Sequence, residues 1–273
     1  MPKKNTGKFR IVTDKFYTIQ KTVLICLEKL SSYHNILISS KLIEPSAGSG
    51  AFIKELTNYD VDAYDIDPPT TNFDIKKMNF LDVDLTQYNK PLVFIGNPPF
   101  GRQSSIAKKF IKKISNYDNT NIIAFILPKS FKKESMQKCF NLFFWLESEI
   151  DLPKTSFTIN GNPHNVPCIF QIWVRKESKR QIKPVEYPKS FTYVKKNENP
   201  DFSLRRVGVN AGFISESISD KSEQSHYFIK LKNNIDKNNF IDKFKTIEFE
   251  HNNTVGPKSI SKKEFTHELN LII

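Results

Sequence analysis

Short apolar runs alternate with helical patterns between residues 19 and 175, and this alternation constrains the fold more than any other feature of the sequence. The clearest strand-like runs are Leu42-Ile43, Val61 to Ile66, Leu92 to Ile95 and Ile122 to Leu127. Apolar residues recur at helical spacing from Ile19 to Leu30 and from Ile106 to Ile114. Strands that alternate with helices form a parallel sheet covered by helices on both faces. We therefore predict an α/β fold.

Weaker patterns extend this prediction. We expect further strands near Phe80 to Val83, from Glu149 to Leu152 and from Cys168 to Val174. We also expect helices from Ala51 to Leu56 and from Met136 to Trp145. After residue 180 the chain becomes polar and rich in Lys and Asn. We therefore predict one domain over residues 1–180 and a small basic extension over residues 181–273, with a role in target recognition or partner binding.

The chain carries 41 Lys and Arg against 29 Asp and Glu, a net charge of +12. This excess suggests a polyanionic partner such as nucleic acid, although AT-rich coding would also enrich a chain in Lys. The three cysteines have neither the number nor the spacing of a disulfide framework or a zinc site, which is typical of an intracellular protein. No apolar run approaches the roughly 20 residues of a membrane helix, and no secretory signal is recognisable.

A glycine-containing loop follows the first strand. Residues 44 to 50 read Glu-Pro-Ser-Ala-Gly-Ser-Gly and lead into the helical pattern that begins at Ala51. Gly48 and Gly50 allow a tight turn and close approach to a ligand, at the strand end where open α/β sheets bind ligands. Asp65 ends the second strand, where a carboxylate can accept both ribose hydroxyls of a nucleoside cofactor. An ordinary strand-to-helix turn and a solvated Asp are the alternatives.

These motifs resemble those of the S-adenosylmethionine-dependent methyltransferases. Glu44 to Gly50 is similar to their motif I, and Asp65 falls where their motif II acid stands. Lys15-Phe16-Tyr17-Thr18 resembles the segment that adenine methyltransferases of the gamma arrangement carry before motif I. Asn79-Phe80 resembles motif III, although Asp is commoner at the first position and Asp82 is a competing candidate.

The resemblance implies a Rossmann-like methyltransferase fold with a mostly parallel seven-stranded sheet and a C-terminal antiparallel hairpin. It implies S-adenosylmethionine as the cofactor. The cofactor-binding residues that it implies are Phe16, Tyr17, Thr18, Glu44, Pro45, Ala47, Gly48, Gly50, Asp65, Ile66, Asn79, Phe80 and Asn97.

The segment Asn97-Pro98-Pro99-Phe100 follows a buried strand and resembles motif IV of the amino-group methyltransferases. An aromatic exocyclic amine is a poor nucleophile because its lone pair is delocalised into the ring. The side-chain oxygen of Asn97 and the carbonyl of Pro98 can accept its two hydrogens and localise the lone pair on nitrogen. The two prolines stiffen the loop and lack N–H donors, while Phe100 offers a flat face to an extruded base. A rigid turn is the alternative.

Later segments extend the resemblance to about residue 175. Val166 to Trp173 looks like the family's last hairpin, and Phe157 is the candidate second wall of the base pocket, with a core or loop Phe as the alternative. His164 receives no role. Arg205 to Gly212 resembles a segment of short viral and phage methyltransferases, which would make the chain viral or phage-encoded. Arg205, Arg206 and Lys258 are candidate phosphate contacts, with a solvated basic surface as the alternative.

The Asn-Pro-Pro-aromatic motif also occurs in enzymes that modify adenine N6 or guanine N2 in RNA, or glutamine amides in proteins. The positive charge disfavours a protein substrate, and the segment before motif I favours site-specific methylation of adenine N6 in DNA. A non-catalytic Rossmann-like binding subunit is a further alternative. Because few residues follow the hairpin, we expect target specificity to be loose or to come from a protein partner. Nothing in the sequence indicates a metal site.

Overall fold

A computed structural model describes residues 16–272 except 160, 183, 234 and 250–256. The chain divides into two compact units, the first ending at Arg180 and the second beginning at Gln181. The strands of the first unit are β1 (Tyr17–Thr18), β2 (Lys41–Glu44), β3 (Val61–Asp65), β4 (Lys76–Lys77), β5 (Leu92–Gly96), β6 (Thr120–Pro128), β7 (Phe144–Asp151), β8 (Phe157–Ile159), β9 (Asn162–His164) and β10 (Cys168–Arg175). Its α-helices are α1 (Gln20–Leu30), α2 (His34–Ser39), α3 (Ser105–Ser115) and α4 (Glu134–Gln137).

Seven strands form the main sheet, in the order β4-β3-β2-β5-β6-β10-β7. The pairs from β4 to β6 are all parallel, and β10 runs antiparallel to both β6 and β7. Strand order reverses at β2, where the chain crosses from one half of the sheet to the other. The predicted α/β fold, with a mostly parallel seven-stranded sheet and an antiparallel pair at its C-terminal side, is confirmed.

Both faces of the sheet are covered, as predicted. Alternation along β5 sends Leu92 and Phe94 into a layer that includes residues of α3, while Val93 and Ile95 enter a layer that includes residues of α1. All four side chains are fully buried. A fully buried apolar side chain of this size contributes about 1.5–3 kcal/mol, so the two layers fix the register of β5 and the position of the loop that follows it.

The strand predicted near Phe80 to Val83 is wrong. Phe80–Asp82 is a single 3-10 turn because the side chain of Asn79 accepts from the backbone N–H of Leu81 and caps it. The sheet's edge strand is instead β4, two exposed lysines that carry no hydrophobic signal. The helix predicted over Ala51 to Leu56 is only a 3-10 turn at Ile53–Glu55.

The helix predicted over Met136 to Trp145 is also wrong, because α4 ends at Gln137 and β7 begins at Phe144. The guanidinium of Arg180 donates to the backbone carbonyls of Gln137, Phe140, Asn141 and Phe144 at 2.6–3.0 Å. The carbonyls of Gln137 and Asn141 accept backbone N–H groups three residues further on, so the segment forms short turns that a side chain distant in sequence stabilises. The other predicted helices and strands of this unit are present, with ends shifted by a few residues.

A second, three-stranded sheet lies in the same unit, in the order β1-β8-β9. Thr18 pairs with Phe157, and Phe157 pairs with His164. This sheet brings the segment before α1 next to the hairpin of β8 and β9.

The second unit has a four-stranded antiparallel sheet and two helices. Its elements are β11 (Phe191–Val194), β12 (Phe202–Arg205), β13 (Ile214–Ser215), β14 (His226–Leu231), α5 (Lys237–Phe244) and α6 (Lys262–Leu271), with strand order β11-β14-β12-β13. Phe202, Leu204, Phe240 and Phe265 belong to its own buried core. The part of the chain that the structure describes contains no helix of the length and apolar character needed to cross a membrane.

Candidate active site

A cleft of about 510 Å³ opens at the carboxyl ends of β2, β3 and β5 in the first unit. It lies at the strand-order reversal, where open α/β sheets bind ligands. Most of the residues predicted for cofactor and substrate line it, namely Phe16, Tyr17, Pro45, Gly48, Asp65, Ile66, Asn79, Phe80, Asn97, Pro98, Pro99 and Phe100.

Asp65 connects the glycine loop to the end of β3. One carboxylate oxygen accepts from the backbone N–H of Gly48 at 2.8 Å, and the other accepts from the N–H of Asp67 at 2.8 Å. Each carboxylate oxygen has a second lone pair. The half-buried carboxylate can therefore hold the loop and still accept hydroxyl groups from a ligand in the cleft.

Ala47 and Gly50 lie beneath the loop rather than on the cleft surface. The N–H of Ala47 donates to the carbonyl of Tyr64, and the N–H of Gly50 donates to that of Ala47, both at 2.8 Å. Gly50 has φ +84°, and a Cβ there would lie 2.5 Å from the ring of Phe73. These two residues shape the loop through its backbone, while Gly48 lines the cleft.

Glu44 ends β2 with its side chain 2% exposed. Burial, reinforced by the nearby Asp65 carboxylate, raises its pKa well above the usual range, and a hydrogen bond from the backbone of Ile53 opposes this shift. Its Oε2 atom is inaccessible to water and has no hydrogen-bond partner among the described residues. A buried, unpaired acceptor beside a cleft fits a cationic or hydrogen-bond-donating ligand group.

The resemblance implies that Asn79 and Phe80 contact the adenine of the cofactor. Asn79 and Phe80 both line the cleft, whereas the competing candidate Asp82 is exposed and accepts from the Asn79 side-chain amide at 3.0 Å. Ile66 is 68% exposed at the cleft rim. A large apolar side chain exposed to this extent offers a surface on which a flat ring can pack.

Asn97 lies directly after β5, and its two amide atoms differ in environment. Nδ2 donates to the hydroxyl of Thr18 at 3.3 Å, whereas Oδ1 is inaccessible to water and has no partner among the described residues. The hydroxyl of Ser46 donates to the backbone carbonyl of Asn97 at 3.0 Å. The loop after β5 is thus held by both neighbouring segments, with one buried side-chain acceptor left unpaired among the described residues. Thr18 contacts Asn97 and does not line the cleft.

Aromatic rings are arranged in a row beside Asn97. The ring of Phe16 is nearly parallel to that of Phe100, with centroids 6.4 Å apart, and to that of His164, with centroids 5.3 Å apart. Phe157 meets Phe16 at 64° and is only 1% exposed. Phe157 is not among the residues that line the cleft, and its side chain packs into the apolar layer that also contains residues of α1. Phe16 lines the cleft together with Phe100, and His164 stacks on Phe16.

The sequence reasoning missed three features of this site. His164 was left without a role, yet it stacks on Phe16. Ser46 and Lys109 line the cleft. The start of α3 directly after the Asn-Pro-Pro-Phe segment was the signal for Lys109, because a helix leaving the catalytic loop presents its first turns to the same cleft. Among the described residues, no group of His, Cys, Asp or Glu has the arrangement of a metal site.

Residues 54–183 match the family model of the EDM2 methyltransferase-like domain. The match includes Asp65, Asn79 and the Asn97 to Phe100 segment and begins after the glycine loop. S-adenosylmethionine is the cofactor expected for such a domain. A search of curated protein sequences finds no significant match.

Three solved structures are among those similar to this chain. A candidate RNA methyltransferase from Pyrococcus horikoshii has 12% identity and a TM-score of 0.43, over 56% of this chain and 82% of that one. A candidate class I S-adenosylmethionine-dependent methyltransferase from Listeria monocytogenes has 16% identity and a TM-score of 0.43, over 64% and 66%. The modification subunit of a candidate type I restriction enzyme from Vibrio vulnificus has 12% identity and a TM-score of 0.45, over 94% and 61%.

Proposed function

We propose that this chain transfers a methyl group from S-adenosylmethionine to an exocyclic amino group of a nucleobase, with adenine N6 in DNA as the substrate. The observation that carries the proposal is Oδ1 of Asn97, a buried acceptor with no partner among the described residues, beside Phe100 in the cleft. An unsatisfied buried acceptor is costly, and an amine hydrogen is the group that would satisfy it.

The cofactor end of the cleft has the residues that a nucleoside requires. Asp65 would accept hydrogen bonds from the ribose hydroxyls. Ile66 and Phe80 would pack against the adenine ring, and Asn79 would form a hydrogen bond with the edge of that ring. Glu44 lies beside the loop with an unpaired acceptor, which fits the ammonium group of the methionine part. When bound, S-adenosylmethionine supplies an electrophilic methyl group on a sulfonium centre.

At the substrate end, Asn97 and Pro98 act on the amine. Oδ1 of Asn97 and the Pro98 carbonyl would each accept one hydrogen, which directs the nitrogen lone pair out of the ring plane. Nδ2 bonds to the Thr18 hydroxyl, and Oδ1 is the amide atom that has no partner among the described residues. Phe100 would stack on the base. No strong base is required, because the amine proton becomes acidic only as the new N–C bond forms.

Asn97 provides the sharpest test, by single-turnover transfer of tritiated methyl groups to an adenine-containing DNA duplex. Asn97→Ala should lower the rate about 10²–10³-fold, by analogy with the loss of one transition-state hydrogen bond. Asn97→Asp is the matched control: it keeps an acceptor oxygen at the same place and should retain more activity than Asn97→Ala. The cofactor Kd should be unchanged in both.

Two outcomes count against the proposal. If Asn97→Ala transfers methyl groups at the wild-type rate, the Asn97 to Phe100 segment has no catalytic role and is only a rigid turn. Cofactor binding without transfer to any nucleic acid would favour the non-catalytic binding subunit. The same assay with RNA of the same sequence decides whether adenine in DNA or in RNA is the substrate. Analysis of the modified nucleoside distinguishes adenine N6 from guanine N2.

A further inference from the structure

Helix α3 has an unusual charge pattern. It carries four lysines at positions 108, 109, 112 and 113 and no acidic residue. Lys113 has an internal role, since its ammonium donates to the carbonyl of Leu81 at 2.7 Å and lies over the ring of Phe80. Lys108, Lys109 and Lys112 have no acidic partner among the described residues, and Arg102, just before the helix, has none either.

This arrangement works against the stability of the helix itself. Lys108 and Lys112 are four residues apart and repel each other, as do Lys109 and Lys113. The first turn contains no acidic residue to offset this repulsion, although Lys112 and Lys113 lie in the last turn, where the helix dipole favours cations. Charges that repel one another and have no internal partner are available to bind an anionic ligand.

The helix also leads directly into the cleft. Lys109 lines the cleft, and Ile106 and Phe110 of the same helix line it too. The backbone N–H of Ile106 donates to the carbonyl of Phe100 at 3.2 Å, which ties the helix start to the Asn-Pro-Pro-Phe segment. A chain whose base is stacked on Phe100 must pass close to this helix, because phosphates lie within one nucleotide of the base.

The phosphate contacts expected in the second unit fit less well. Arg205 donates to the carbonyl of Val207 at 2.8 Å and to the hydroxyl of Ser225 at 3.2 Å, and the guanidinium of Arg206 lies over the ring of Tyr227. Charge is also distributed unequally. The second unit has 15 Lys and Arg against 12 Asp and Glu, whereas residues 1–180 have 26 against 17.

We propose that Arg102, Lys108, Lys109 and Lys112, the α3 cationic surface, bind the phosphodiester backbone of the nucleic acid whose base enters the cleft. This inference rests on the proposed function. It moves the main phosphate contacts from the second unit to the helix that follows the catalytic loop, and it assigns Lys109 to the nucleotide nearest the reacting base.

The test compares two triple variants that remove the same charge. The α3 triple variant combines Lys108→Gln, Lys109→Gln and Lys112→Gln. The control variant combines substitutions of exposed lysines on the opposite face of the sheet, namely Lys21→Gln, Lys29→Gln and Lys54→Gln. Fluorescence anisotropy measures binding to a labelled DNA duplex, and to RNA of the same sequence, across a salt series. Single-turnover methyl transfer is measured on the same samples.

On duplex DNA, log affinity falls with log salt at a slope of roughly −0.9 per phosphate contact. The slope of the α3 triple variant should therefore be shallower than that of wild type by about 2–3. Its affinity should fall at least about tenfold at low salt. The control variant should keep nearly the wild-type slope. The Tm of the α3 triple variant should equal or exceed that of wild type because repulsion within the helix is relieved, which separates lost binding from lost folding.

Equal slopes for the two triple variants, with methyl transfer by wild type intact, would overturn the α3 cationic surface and leave the proposed function standing. Wild-type protein that neither binds nucleic acid nor methylates it would overturn both. Loss of slope in the α3 triple variant, with the slope of the control variant unchanged, supports the inference. It does so whether or not methyl transfer at saturating substrate also falls, because Lys109 itself lines the cleft.

Discussion

The Asp65 carboxylate stabilises the glycine loop through two backbone hydrogen bonds. Its two oxygens accept from the N–H groups of Gly48 and Asp67, each at 2.8 Å. A hydrogen bond to a charged group is worth about 1.5–3 kcal/mol, and partial exposure places each at the lower end. Asp65→Ala should therefore lower the free energy of unfolding by about 3 kcal/mol. For a unit of this size that corresponds to a fall in Tm of about 6–12 °C.

Cofactor binding should weaken as well, because the ribose contact is lost. A further loss of about 1.5–3 kcal/mol corresponds to a Kd raised about 10- to 100-fold. Thermal unfolding and isothermal titration calorimetry of the apo protein measure the two effects separately. Asp74→Ala, which removes an exposed carboxylate nearby in the sequence, is the control and should change neither. An unchanged Tm and Kd in Asp65→Ala would refute this reasoning, while a lower Tm alone would limit Asp65 to holding the glycine loop.

Three further predictions concern single side chains. Burial raises the pKa of Glu44. The stability contributed by the neutral acid is therefore complete below about pH 4.5 and is lost as pH rises through the folded-state pKa. The urea midpoint of Glu44→Gln should be higher than that of wild type at about pH 8, and the two midpoints should be equal at about pH 4. Phe100→Ala should raise KM and lower kcat, since stacking is worth about 1–3 kcal/mol per base, whereas Phe100→Trp should remain active in the same steady-state assay. Phe157→Ala should lower the free energy of unfolding in urea by about 3–5 kcal/mol. His164→Ala should leave the urea midpoint unchanged and raise KM. A raised KM in Phe157→Ala with an unchanged urea midpoint would instead indicate that Phe157 forms part of the base pocket.

The sequence could predict the main sheet because its central strands are continuously apolar and each is followed by a motif. It could not predict the edge strand, since two exposed lysines have no hydrophobic period. The region from Met136 to Trp145 was misjudged for a different reason. Its apolar spacing fits a helix, but its carbonyls bond to Arg180, and a partner so far along the chain leaves no local signal.

The same contrast holds for the site. Gly48, Asp65 and Asn97 could be assigned from their places at strand ends, because parallel strands bring their carboxyl ends to one edge of the sheet. Phe157 could not be judged in this way, since it is one of 23 Phe residues and only the register of β8 turns it inward. His164 lies opposite it in that register, and its contact with Phe16 depends on the pairing of β1 with β8.

The central claim is the transfer of a methyl group to adenine N6, and the nucleoside product tests it most directly. Duplex DNA is incubated with the wild-type protein and S-adenosylmethionine bearing an isotopically labelled methyl group, digested to nucleosides and analysed by liquid chromatography and mass spectrometry. We predict labelled N6-methyldeoxyadenosine, present with wild-type protein and reduced about 10²–10³-fold in rate with Asn97→Ala. Label on cytosine or guanine alone, or none in DNA while parallel RNA or protein samples become labelled, would contradict the account.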